Sequence, residues 1–91
     1  MENQIYQVVK EYTMVVDGLS FHVKGRISVE MYVDNPRYVW EISHYCKQFA
    51  EAATVYIPSK QSAPTFEYTE ILLLQYMKAF APFEVQENKF F

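Results

Sequence analysis

The chain has 91 residues, 51% of them hydrophobic and 18% aromatic, with six Gly and Pro in total, which excludes disordered, collagenous and low-complexity chains. Its net charge is −3: residues 1–45 carry four basic and six acidic side chains and residues 46–91 carry four and five. No basic run exists to neutralise phosphates, so nucleic-acid binding is not expected.

Length and composition fit a single domain over 1–91. The first third reads as a long β-hairpin with strands at about 4–16 and 19–33. Asp17-Gly18 is a two-residue turn signal, expected as a type I′ turn. With Val16 facing Leu19, one face pairs Met14 with Phe21, Tyr12 with Val23, Val8 with Ile27 and Tyr6 with Val29. The other face pairs Thr13 with His22, Glu11 with Lys24, Val9 with Arg26 and Gln7 with Ser28. The first face is apolar and the second mostly polar, as a half-buried hairpin requires. Lys10 opposite Gly25 breaks the apolar face. Gly25 there marks a bend or bulge, and Lys10 either snorkels outward or meets a ligand or a partner's carboxylate. A fifteen-residue second strand would span roughly 50 Å, against a diameter of roughly 30 Å for a compact chain of this size. The hairpin must bend or project and pair with another chain.

Asp34-Asn35-Pro36 carries helix-start signals. A helix is expected over about 36–53, with Val39, Ile42, Cys46, Phe49, Ala50 and Ala53 as its apolar stripe and Arg37, Trp40, His44, Lys47, Gln48 and Glu51 opposite. Residues 54–57 (Thr-Val-Tyr-Ile) suggest a short strand ended by Pro58. A second helix over about 65–81 buries Phe66, Leu72, Leu73, Tyr76 and Phe80, yet carries Ile71 and Leu74 on its other side. Residues 82–91 read as an edge strand or flexible tail. The expected fold is α+β, in the order ββαβα(β): an antiparallel sheet with both helices packed on one face.

Motifs for catalysis are missing. The two histidines are His22 and His44; His44 and Cys46 are two apart on the expected helix and point in different directions, so no metal site is expected. Two glycines leave no room for a phosphate-binding loop. No catalytic residue and no cofactor are assigned. The single cysteine excludes an internal disulfide, the first residues lack the pattern of a signal peptide, and the longest apolar run, Ile71–Leu74, falls far short of the ~20 residues of a membrane span. A cytoplasmic protein with no membrane partner is expected.

The leading functional expectation is a non-enzymatic protein-interaction module, a small regulator, adaptor or inhibitor of another protein, acting as a homodimer. Trp40, His44, Arg37 and Lys47 are the expected partner surface, since an exposed Trp ringed by polar groups has the composition of an interface hot spot. A loop or the tail folding over Trp40 is the alternative. Ile71, Leu74, Phe90 and Phe91 are the expected self-association residues. The competing expectation is a small-molecule-binding domain, enzymatic or not, with a pocket between sheet and helices at Lys10, Tyr12 and His22. Tyr6, Tyr12, Phe21, Phe49, Phe66, Tyr76 and Phe80 are assigned to the core, and Trp40, Tyr32, Phe90 and Phe91 are left outside it.

Overall fold

A computed structural model describes residues 3–47 and 49–91. Met1, Glu2 and Gln48, the last expected on the polar helix face, lie outside the described residues. In chain order the elements are β1 (Tyr6–Met14), β2 (Val23–Glu30), β3 (Tyr38–Ile42), β4 (His44–Lys47), β5 (Ser62–Ala63), α1 (Phe66–Lys78) and β6 (Phe83–Glu87). The fold is α+β. An antiparallel sheet in the order β1-β2-β3-β5 carries α1 on one face, and β4 pairs with β6 in a separate two-stranded sheet. No helix among the described residues is long and apolar enough to cross a membrane.

The hairpin forms, but its register differs from the expected one. Leu19 N–H donates to Val16 O at 3.1 Å, closing the turn, and of its two central residues Gly18 alone has a positive φ, 92°. That is the requirement of a type II turn; type I′ would need positive φ at Asp17 as well. A type II turn splays the strands it joins. Regular pairing accordingly starts only at Met14↔Val23, two residues displaced from Met14↔Phe21, and continues with Tyr12↔Gly25 and Lys10↔Ile27. A bulge then falls at Val9, between Lys10↔Ile27 and Val8↔Ser28, not at Gly25. A bulge adds one residue to one strand and so exchanges its faces. Tyr12 and Met14 keep the helix-facing side expected of them. Tyr6 and Val8, expected in the core opposite Val29 and Ile27, instead pair with Glu30 and Ser28 on the opposite face.

Residues 36–47 and 49–53 do not form the expected helix. Asn35, which with Asp34 carries the expected helix-start signal, has φ 52°, and Tyr32 has φ 62°, conformations that turn the chain back alongside β2. The segment pairs as β3, with Ile27↔Trp40 and Gly25↔Ile42. Tyr38, Trp40 and Ile42 alternate toward α1 while Val39 and Glu41 face away. These aromatic and β-branched residues suit a pleated surface better than a helix. Ser43 makes the corner into β4: its N–H donates to Lys24 O and its Oγ accepts from Lys24 N–H, both at 2.8 Å. Residues 54–57 do not form a strand either. Pro58 closes the segment, which keeps one sheet-like bond, from Tyr56 N–H to Cys46 O at 2.9 Å. The tail strand does form, but as β6 on β4 rather than at the edge of the main sheet.

The core joins Val23 and Ile27 of β2, Trp40 and Ile42 of β3, and Leu73, Tyr76 and Met77 of α1. Trp40, left outside the core by sequence, is 2% exposed; Phe21 and Phe49, assigned to the core, are 40% and 57% exposed. Thr65 caps α1, its Oγ1 accepting from Tyr68 N–H at 3.2 Å. The Tyr76 hydroxyl donates to Tyr56 O at 2.6 Å and accepts from Cys46 N–H at 3.3 Å. Burial raises the pKa of Tyr76 to about 12, and it also raises that of the buried Cys46 thiol.

Gly25 has a packing reason to be glycine. A Cβ there would lie 2.8 Å from Leu73 Cδ1 and 2.9 Å from Met77 Sδ. Overpacking of this kind costs about 1–3 kcal/mol, more than the roughly 0.5–1 kcal/mol that Ala gains over Gly within a strand. Gly25→Ala is therefore expected to lower stability in urea unfolding, and an unchanged or raised midpoint would contradict the close approach of α1.

Candidate functional site

The two faces of the main sheet are unlike. One lies under α1. The other presents Tyr6 and Val8 from β1, Arg26 and Ser28 from β2, and Val39 and Glu41 from β3. These six side chains line a shallow depression of about 450 Å³. Ser28 is its buried floor. Arg26 Nε donates to Glu41 Oε1 at 3.1 Å, and the Arg26 guanidinium lies 4.1 Å from the centre of the Phe91 ring. Arg26 also donates to Phe91 O. The pair and the stacked ring fix the guanidinium at one rim, while Tyr6 and Val8 stand at the other, 49% and 46% exposed. Ile5 and Val9 beside them are also exposed. The bulge at Val9 brings Tyr6 and Val8 to the open side.

On the helix side of β1, Lys10 meets a carboxylate of its own chain. Its Nζ donates to Glu70 Oε2 at 2.9 Å, and the Tyr12 hydroxyl donates to the same oxygen. Lys10 Nζ also lies 5.3 Å from the Tyr12 ring and 5.8 Å from the Phe66 ring. The bonds from Tyr12 and Lys10 hold the Glu70 carboxyl below its ordinary value. The bond to Glu70 raises Lys10, and desolvation followed by the same carboxylate raises Tyr12. The cluster ties the edge strand to α1.

The residues expected as a partner surface do not share one. Trp40 faces α1, and its Nε1–H donates to Lys60 O at 3.2 Å. Lys47 is buried and bridges to Glu84 at 3.0 Å. His44 stacks on Phe21 at 4.5 Å, with Nδ1 2.8 Å from Ser43 Oγ. Arg37 is exposed and reaches Ser62 Oγ at 3.4 Å. The single helical face expected to unite them is absent, because the segment alternates as strands. Of the expected self-association residues, Ile71 and Phe90 are exposed, Leu74 packs partly on the core, and Phe91 lies against Arg26. Lys10 and Tyr12 converge on Glu70, whereas His22 lies exposed in the hairpin loop, so the three do not line one pocket. A different cleft, of about 240 Å³, opens between α1 and residues 56–60, lined by Tyr56, Lys60, Leu72, Gln75 and Tyr76 over Trp40.

The open-face residues were missed because Tyr6 and Val8 were assigned to the core. The one available signal was Val8-Val9, two adjacent apolar residues where alternation allows one.

The Lys10–Tyr12–Glu70 cluster has a pH signature. A depressed carboxyl pKa stabilises the fold above the unfolded value and loses that effect as pH falls through the folded one; raised Lys and Tyr values act below about pH 10 and fade as pH rises further. Unfolding midpoints measured between pH 3 and 7 should therefore change less in Glu70→Gln than in the parent chain. Equal slopes would remove Glu70 from the acid transition.

The chain matches no protein-family model, and comparison with curated proteins and with solved structures returns no match for it.

Proposed function

We propose that the chain is a cytoplasmic, non-enzymatic protein-interaction module, a small regulator, adaptor or inhibitor, that docks another protein on the open face and free edge of its main sheet and associates with itself. The observation that carries this reading is the half-exposed apolar pair Tyr6 and Val8, which lines the depression rimmed by Arg26 and Glu41, with Ile5 and Val9 exposed beside it along the same edge. Contiguous apolar surface rimmed by polar groups is characteristic of interaction sites. Sheet edges add main-chain hydrogen bonds, and side-chain pockets add specificity. Arg26, already held by Glu41 and a ring, offers a charge whose ordering cost on binding is small.

The test places a photoreactive benzoyl-phenylalanine at position 39 and irradiates cells of the native host. A discrete adduct is expected, with a yield that falls several-fold when Tyr6→Ser and Val8→Ser are added. The same probe at Glu67, on exposed α1, serves as the control. An absent adduct, or one indifferent to Tyr6 and Val8, would overturn the reading.

A second reading, a small-molecule-binding domain, is favoured by the aromatic cleft over Trp40. A ligand there should quench the emission of this single Trp saturably and lose at least about tenfold in affinity in Tyr56→Ala, roughly the 1.4 kcal/mol of one lost contact. Binding that ignores Tyr56→Ala would place the ligand elsewhere.

A further inference from the structure

We propose that β1 pairs antiparallel with β1 of a second copy, about a two-fold axis through Gln7, joining two four-stranded sheets into one of eight strands. This inference rests on the interaction-module reading and names one occupant of its free edge.

The two edges of the sheet are unequal. β5, at one end, is two residues long, whereas β1, at the other, spans nine. A long, uncovered, apolar edge strand is a template for another strand.

Backbone accounting shows which groups of β1 are free to pair. Met31 N–H donates to Ile5 O at 2.7 Å, and the register continues as Tyr6↔Glu30, Gln7↔Val29 and Val8↔Ser28. Antiparallel ladders alternate between residues whose backbone groups face the neighbour and residues whose groups face away. Ile5 and Gln7 therefore turn their N–H and C=O toward β2. Tyr6 and Val8 turn theirs outward.

A two-fold axis perpendicular to the sheet restricts the pairing further. It sets a residue against itself or against one an even number of positions away, so that side chains meet on the same face. With the axis at Gln7, Tyr6 of each copy faces Val8 of the other, and both residues have outward groups. Four backbone hydrogen bonds form, and two Tyr6 and two Val8 side chains meet on the open face. The paired window, Tyr6 to Val8, holds no charged residue. Moving the axis to Lys10 or Glu11 would set like charges opposite each other, which is destabilising. Moving it to Tyr6 or Val8 breaks the Tyr6–Val8 pairs. The bulge at Val9 ends regular pairing toward the hairpin turn and so selects the N-terminal half of β1.

Single cysteines read this register. At the axis, position 7 forms a non-hydrogen-bonded pair with itself, at a Cα separation of about 4.5 Å, within the range a disulfide bridges. Gln7→Cys should cross-link to itself under mild oxidation, with the parent chain as control because Cys46 is buried. Tyr6→Cys and Val8→Cys should each cross-link weakly alone but efficiently when mixed. Independently, Val8→Pro removes an N–H that β2 does not use, a position where edge strands tolerate proline. It should convert a sedimenting dimer to a folded monomer at tens of micromolar. The cysteine set decides alone if Val8→Pro does not fold.

A parent chain that sediments as a monomer at that concentration overturns the pairing. So does Gln7→Cys cross-linking no faster than the parent, or a folded Val8→Pro that remains dimeric. In these cases the interaction-module reading still stands if the position 39 adduct forms with a different protein.

Discussion

Helix α1 closes the core through a close approach of the Leu73 and Met77 side chains to the β2 backbone at Gly25, where a Cβ would meet both within 3.0 Å. Everything else adjusts to that approach. Thirteen helical residues span about 20 Å, while the molecule is 43 Å long. One helix cannot cover such a sheet from end to end. The core therefore concentrates where Leu73, Tyr76 and Met77 meet Ile27, Trp40 and Ile42, and the end carrying Ile5, Tyr6 and Val8 is left open.

The bulge at Val9 turns this shortage of cover into a division of labour along β1. Toward the hairpin turn, Lys10, Tyr12 and Met14 face α1, and two of them hold Glu70. Past the bulge the same strand presents Tyr6 and Val8 to the other side. One inserted residue thus separates a part of β1 that is fastened to the helix from a part whose apolar side chains have no place in the core.

The hairpin was legible because its signals are local: a Gly able to take positive φ, and apolar alternation on both sides. The helix expected over 65–81 was equally plain from its period. Residues 36–53 misled because Val39, Ile42 and Cys46 satisfy a helical spacing while Tyr38, Trp40 and Ile42 satisfy a strand spacing. Only long-range pairing with β2 decides between them, and that pairing is invisible in a short window. The open face was misread for a related reason. The turn geometry at Asp17-Gly18 and the bulge at Val9 each shift the register, and the second shift reverses the faces. Tyr32 and Phe90 were rightly left outside the core, whereas Trp40 was displaced by the mistaken helix.

The Tyr76 hydroxyl has a dynamic consequence. It holds Cys46 N–H and Tyr56 O at once, and Tyr56 N–H returns to Cys46 O. Cys46 and Tyr56 are therefore clasped together by one side chain of α1 and one backbone bond. Opening that clasp leaves the pairing of β2 with β3 intact. Sub-global opening of this kind has its own free energy, below that of complete unfolding. The amides of Cys46 and Tyr56 belong to that smaller unit, and their hydrogen exchange would report the clasp rather than the fold.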